Sequence, residues 1–422
     1  QAAQPAQQAA PAKTSGGPMT LTWITPAEVG PERDFYTGFA KDFEAKNPGV
    51  KVTVNYSDVE SYKTSIRNFL VTSPPDIAFW FTGARMRAFT KRDLFEDLTG
   101  FMQETKLTET MKPFIPAVTD GNKIFMVPTN MTTWGFYYNK QLFKQAGLTR
   151  PPRTLDELTA YAKKLTTRKA DGSLDVVGYN PFIGFYQNSV GAYQPLVGAK
   201  YFDSAGKSAL SKDPAWMQLL TWQKSLVDYY GHDKLVKWQT GAGDEWSAPH
   251  AFGRGKLAMM IDGEWRVAFL AADHKGLSYG TAPMPVGKKS LYGAGYINGT
   301  IIGIPKGGKN QEEAWKLVKY LTTNTHALAM FSNGIRNVPS TAAAARSKEL
   351  KADPNFATFT KIFVHPRSAT IPVTPLGSAH LETLTSFLAK WQAGKVSNLK
   401  SGLAEVDKQI DAKLKQSGGG VP

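Results

Sequence analysis

Across residues 19–81 the apolar side chains switch repeatedly between every second position and every third or fourth. Met19 to Ile24 alternates as a strand does. After a turn containing Pro and Gly, Phe35, Phe39 and Phe43 recur at helical spacing. Pro48 and Gly49 stop that helix, and Val50, Val52 and Val54 alternate like a half-buried strand. A second helix is predicted through Tyr62, Ile66 and Phe69. Pro74 and Pro75 then lead into Asp76 to Phe81, a short apolar run suited to a buried parallel strand. Strands that alternate with helices bury their faces against those helices, so the predicted fold class is α/β.

The chain of 422 residues is longer than one hydrophobic core usually serves, since cores stop growing at about 250–300 residues, and two lobes are therefore expected. Extended, aromatic-rich sequence from Lys123 to Tyr138 places a crossing between them near Pro128. Thr154 with Glu157 forms a capping-box pattern, and Asp203 to Lys207 reads as a turn. Asp213 followed by Pro214 opens a long helix rich in Trp and Leu. A strand over Ile297 to Ile304 precedes a second capping pattern, Asn310 with Glu313, and a helix through Trp315, Val318 and Leu321. The remainder is mostly helical around an extended break from His365 to Pro375. These readings give a first lobe of residues 19–128 plus about 299–340, and a more helical second lobe of 129–298 plus about 341–415. Residues 1–18, poor in apolar side chains, read as a disordered tether, and 416–422 as a frayed end.

Composition narrows the chemistry. The absence of cysteine excludes disulfides, thiolate catalysis and sulfur-ligated metals. No apolar run reaches the roughly 20 residues of a spanning helix. The net charge of +15 comes from basic residues scattered in ones and twos, without the tail or stripe that nucleic-acid binding calls for. The six histidines lack paired spacing, so no metal and no cofactor are expected. Gly303 to Lys309 resembles a phosphate loop, but Asn310 stands where a magnesium-binding hydroxyl belongs and Pro305 removes a backbone N–H. Asp262 and Glu264 share a strand face as a glycosidase pair would, and solvated turn acids explain them more simply.

Several segments, in order, resemble the extracellular solute-binding proteins of carbohydrate ABC importers, the maltose-binding-protein-like family. They are FAKDFEAKNPGVKVTV from Phe39, PDIAFWFTGARMR from Pro75, GNKIFMVPTNMTTWGFYYNKQLFKQAGL from Gly121 and PPRTLDEL from Pro151. GAKYFDSAGK from Gly198, FGRGKLAMMIDGEW from Phe252, GTIIGIPKGGKNQEEAWKLVKYL from Gly299 and NGIRNVPS from Asn333 follow. The resemblance implies a two-lobed periplasmic-binding-protein-like fold with hinge crossings, a carbohydrate held in the cleft, and delivery to permease subunits of an ABC importer. It also implies a monomeric, non-enzymatic, extracytoplasmic protein, tethered as a lipoprotein through an N-terminal lipid anchor that this sequence does not contain. The basic charge leaves room for a same-fold receptor of an anionic or polyol solute, such as a glycerophosphodiester.

Sugars expose C–H faces edged by hydroxyls, so their sites pair aromatic platforms with hydrogen-bonding side chains. Trp80 and Phe81 lie at the carboxyl end of a predicted buried strand, where open α/β sheets bind ligands. Trp134 sits among polar residues after the proposed crossing. Glu264 and Trp265 place an acceptor beside a stacking face. Trp246, Tyr296 and Asn298 occupy Gly-rich polar loops, while Arg85, Asn333 and Arg336 offer donors. By the family resemblance, Glu28 supplies a polar group from the loop after the first strand.

Overall fold

The computed structural model describes residues 18–27, 31–80, 89–90, 92–107, 118–363, 365–372 and 374–417. Residues 1–17 and 418–422 lie outside these, as do three candidate site residues, Glu28, Phe81 and Arg85.

The alternating segments form strands β1 (Met19–Pro26), β2 (Val50–Ser57) and β3 (Ile77–Trp80), with β1 parallel to both neighbours. The helices Pro31–Lys46 and Val59–Thr72 connect them, in keeping with the crossover that parallel strands require. Beyond the short hairpin of β4 (Thr119–Asp120) and β5 (Lys123–Ile124), the 13-residue β6 (Val127–Asn139) runs through the middle of the molecule. β7 (Val177–Tyr179), β8 (Leu257–Gly263) and β9 (Tyr279–Ala282) follow. The last two strands are β10 (Ile297–Gly303) and β11 (Val338–Pro339). The sheet order is β2-β1-β3-β10-β6-β8-β7, with β9 and β11 also pairing with β6.

Two hydrophobic cores sit along this sheet. One gathers Leu21, Trp23, Phe39, Phe79, Ile301 and Trp315; the other gathers Phe136, Tyr179, Leu219, Met259 and Leu388. Among the described residues the chain passes between them three times. β6 contributes Val127 to the first core and Met131 to the second, and β10 contributes Ile297 to the second and Ile301 to the first. The segment from Phe331 to Val338 makes the third passage. Pro128 has no N–H for the sheet ladder, and the β6–β10 register shifts beside it, between Thr300 and Ile301. Thr129 Oγ1 donates to the Thr300 carbonyl at 3.0 Å at this irregularity.

Local chemistry agrees with the sequence at most ends and departs at three positions. Asp213 caps the helix Pro214–Tyr230 by accepting from the Ala215 N–H. Thr154 caps Leu155–Leu165, but the Glu157 carboxylate turns to the Arg153 N–H and the Arg150 guanidinium instead of completing the box. Asn310 provides no side-chain cap, because its amide reaches Asp76, which also accepts from Thr22. In the helix Val59–Thr72, Phe69 is exposed and Leu70 takes the buried place.

Candidate functional site: an aromatic row at the edge of the second core

β6 exchanges partners at the second core: Thr133 is the last residue opposite β10, and Trp134 is the first opposite β8. That switch sets the Trp134 indole beside both strands. Its ring lies 4.4 Å from Tyr296, which precedes β10, and meets Trp265 edge-on at 5.3 Å. Trp265 stands two residues after the end of β8, at the N-cap of the helix Arg266–Asp273. A Cβ on Gly263 would stand 2.2 Å from the Trp265 ring, so the indole could not lie where it does over the strand end with any larger residue there. Trp246 continues the row at 6.2 Å from Trp265, and Phe269 lies 5.7 Å beyond it. Tyr296 and Trp134 are nearly buried, while Trp265 and Trp246 are half-buried, so the row runs from the core outward.

A polar chain edges this row. Trp134 Nε1 donates to Gln187 Oε1 at 2.9 Å, and the Gln187 amide donates to Glu245. Gln187 and Glu245 are both half-buried, and burial pushes the Glu245 carboxyl up to about 7. The Trp265 indole N–H has no acceptor among the described residues. Partly exposed rings beside an amide and a carboxyl are groups that a polyhydroxylated ligand can use.

The two acids expected to be solvated are fully buried. Asp262 accepts from Arg266 Nε at 2.6 Å and from the Gly263 N–H at 2.7 Å, and the Arg266 guanidinium is equally buried, passing 5.7 Å from the Trp246 ring centre. Burial raises the Asp262 carboxyl against the pull of Arg266. Glu264 uses both oxygens inside the protein, Oε2 accepting from the Thr133 N–H at 2.8 Å and Oε1 from Asn337 Nδ2 at 2.6 Å. With no exposure, Glu264 does not present its carboxyl to a ligand in this arrangement.

Of the remaining candidates, Asn298 is half-buried on β10 opposite Thr132, and its Oδ1 accepts from the Gly299 N–H. Trp80 lies in the first core, with its ring 5.1 Å from Phe89 and 5.9 Å from Tyr62. Asn333 and Arg336 bind the chain at 349–351: Asn333 pairs with the Glu349 carbonyl and the Lys351 N–H, and Arg336 with the Lys351 carbonyl. The structure thus brings together Trp134, Trp246, Glu264, Trp265, Tyr296 and Asn298, and leaves Trp80, Asn333 and Arg336 elsewhere. Among the described residues no cluster of three or more His, Asp or Glu side chains is arranged for a metal.

The profile of the bacterial extracellular solute-binding proteins matches residues 30–327 of this chain. The chain belongs to that family. A binding protein of Brucella abortus is 26% identical over 393 residues, covering 90% of both chains. The maltotriose-binding protein of Pyrococcus abyssi is 21% identical over 76% of this chain and 67% of its own length. Among solved structures, CpMnBP1 with mannobiose bound superposes with a TM-score of 0.82 at 23% identity, covering 93% of this chain and 99% of that one. Maltose-bound MalE3 of T. maritima gives 0.77 at 21%, covering 94% and 100%. This solute-binding protein therefore has the two-lobed fold of its structural relatives.

Gln187, Glu245 and Arg266 of this solute-binding protein were not picked out from sequence. Gln187 and Glu245 come from separate loops and meet each other and Trp134 only in the folded chain, so linear spacing holds no trace of them. Arg266 carried a signal: it stands four residues after Asp262, the spacing at which helical charges pair.

Proposed function

We propose that this protein captures a sugar or oligosaccharide between its two lobes and presents it to the permease of an ABC importer. It acts as a binding protein and not as an enzyme. The observation that carries the reading is the row Tyr296, Trp134, Trp265, Trp246, edged by Gln187 and Glu245, at the place where β6 and β10 pass between cores. Relatives named for maltotriose and multiple sugars, and solved structures with mannobiose and maltose bound, support a carbohydrate ligand. The burial of Asp262 and Glu264 speaks against glycoside hydrolysis, since neither carboxyl faces a space where a scissile bond could lie.

The lobes in this reading are residues 19–128 with about 299–340, and 129–298 with about 341–415; the division of apolar residues into two cores supports these limits. Residues 1–18 act as a spacer to a lipid-anchored end at the outer face of the membrane, a role supported by their composition. The carboxyl beside the row favours a neutral solute over an anionic one, whatever the surface charge.

Thermal-shift measurements with mannobiose, maltotriose, maltose, mannitol and glucuronate test this. A neutral sugar at one hundred times its dissociation constant should stabilise the fold by about 2.7 kcal/mol. A shift with glucuronate alone would replace the neutral sugar by an anionic one, and no shift with any of them would remove the carbohydrate reading.

A further inference from the structure

The carboxyl of Glu264 sits where all three passages between the cores meet. It follows β8, in the second core. Oε2 accepts from the Thr133 N–H in the first passage, at 2.8 Å, and Oε1 from Asn337 Nδ2 in the third, at 2.6 Å. Thr133 extends the link to the second passage, because its Oγ1 donates to the Tyr296 carbonyl at 3.0 Å. Glu264, Thr133 and Asn337 are all buried, so water does not compete for these bonds. Trp134 is the next residue after Thr133, and its own N–H also donates to the Tyr296 carbonyl. One side chain therefore ties the aromatic row to the three described passages between the cores.

We propose that Glu264 is the positioning residue of the hinge, setting the balance between open and closed lobes through its bonds to Thr133 and Asn337. The proposal rests on the two-lobed capture reading and adds a control point to it. Hinges turn on a few residues at the ends of elements, and a buried network with two states of bonding biases such a turn.

The surroundings make this carboxyl sensitive to its proton. Beside it along the chain, Asp262 adds a like charge that pushes the Glu264 carboxyl further up, and Arg266 pairs with Asp262 and not with Glu264. From β6 come the Thr133 N–H and the Tyr137 phenol, which donates to the Gly263 carbonyl; from the third passage comes the neutral Asn337 amide. Two accepted hydrogen bonds favour the ionised form, and burial without a cation of its own disfavours it more, pushing the carboxyl up to about 8. Above that pH the hinge holds an uncompensated charge, and arrangements that wet it gain population.

The chain has no cysteine, so single labels can be placed cleanly at Lys41→Cys and Lys234→Cys, exposed helix positions that flank the first and second cores. Inter-lobe distance distributions by single-molecule fluorescence energy transfer, on the full chain without sugar from pH 6 to 9.5, read the balance directly. The parent should shift to longer distances with a midpoint near 8. Glu264→Gln should abolish the pH response. Asn337→Ala, which keeps Glu264 and removes one donor, should shift the distribution already at pH 7, and it decides the matter if Glu264→Gln does not fold. Distributions for both variants that superpose on the parent at every pH would overturn the proposal. If mannobiose, maltotriose or mannitol still shortens the parent distance in that case, capture by closure survives and only the role of Glu264 falls. A parent that responds to neither pH nor any of these sugars would overturn both.

Discussion

Trp80 and Trp134 are both tryptophans of the central sheet, yet their rings keep different company. Trp80, on β3 of the first core, keeps 4% of its surface and is enclosed by Tyr62 and Phe89. Trp134, at 7%, is hardly more exposed, but its N–H engages Gln187 and its ring begins a row that opens outward through Trp265 and Trp246. Exposure of the single residue does not separate them. The partners do: Trp80 packs against the rings of Tyr62 and Phe89, whereas Trp134 is tied to a polar chain and to half-buried neighbours, the company expected of a ring in the proposed sugar site.

The largest expected effects are on stability and belong to the buried side. Trp80→Ala should cost about 3–5 kcal/mol in denaturant unfolding, as large-to-small core changes do, with unchanged sugar affinity for the molecules that remain folded. Arg266→Leu should cost a comparable amount, about 3–5 kcal/mol, because it leaves the buried Asp262 carboxylate without its partner. The added change Asp262→Asn should recover part of that loss, which a purely steric role for Arg266 would not allow.

Next come effects on binding. Trp265→Ala should weaken sugar affinity tenfold or more, equivalent to about 1.4 kcal/mol, while moving the unfolding midpoint far less than Trp80→Ala. Gly263→Ala is a finer probe, since the new methyl would displace the Trp265 ring from over the strand end. Calorimetric titration should show weakened binding with most of the stability retained.

The smallest effects concern pH. Glu245 and Glu264 both have folded-state carboxyls raised above the unfolded value, to about 7 and about 8. The folded state then holds those protons more tightly than the unfolded chain. Their contribution to stability is complete below about pH 4.5, the unfolded value, and is lost as pH rises through 7 and 8. Melting temperature should decline over that window, and Glu245→Gln should flatten its lower part. A melting curve that rises through the same window would contradict the burial of both groups.

The frame of the fold was legible in the residues because it depends on local periodicity and caps. Val50, Val52 and Val54 report a strand with one buried face, and Asp213 with Pro214 reports a helix start, whatever lies elsewhere. Tertiary partners were not legible. Asp262 and Glu264 look like turn acids in sequence and are buried because Arg266, Thr133 and Asn337 converge on them from other elements. Asn310 has the sequence of a cap and serves Asp76 instead, across the sheet. Phe69 and Leu70 exchange places by a single residue, about 100° of helix rotation, which periodicity alone does not resolve. For the site, the strand-end argument pointed to Trp80, which lies in the first core, while Trp134 and Trp265, picked for the polar sequence after the crossing and for an acceptor beside a stacking face, lie side by side; the loops bearing Gln187 and Glu245 gave no such pattern.

The contrast between the two indoles is tested most directly by calorimetry with the sugar that gives the largest thermal shift, titrated into the parent, Trp265→Ala and Trp80→Phe. The expected result is a tenfold or greater loss of affinity for Trp265→Ala and parental affinity for Trp80→Phe. Parental affinity in Trp265→Ala, or a loss confined to Trp80→Phe, would contradict the placement of the sugar on the aromatic row of the second core.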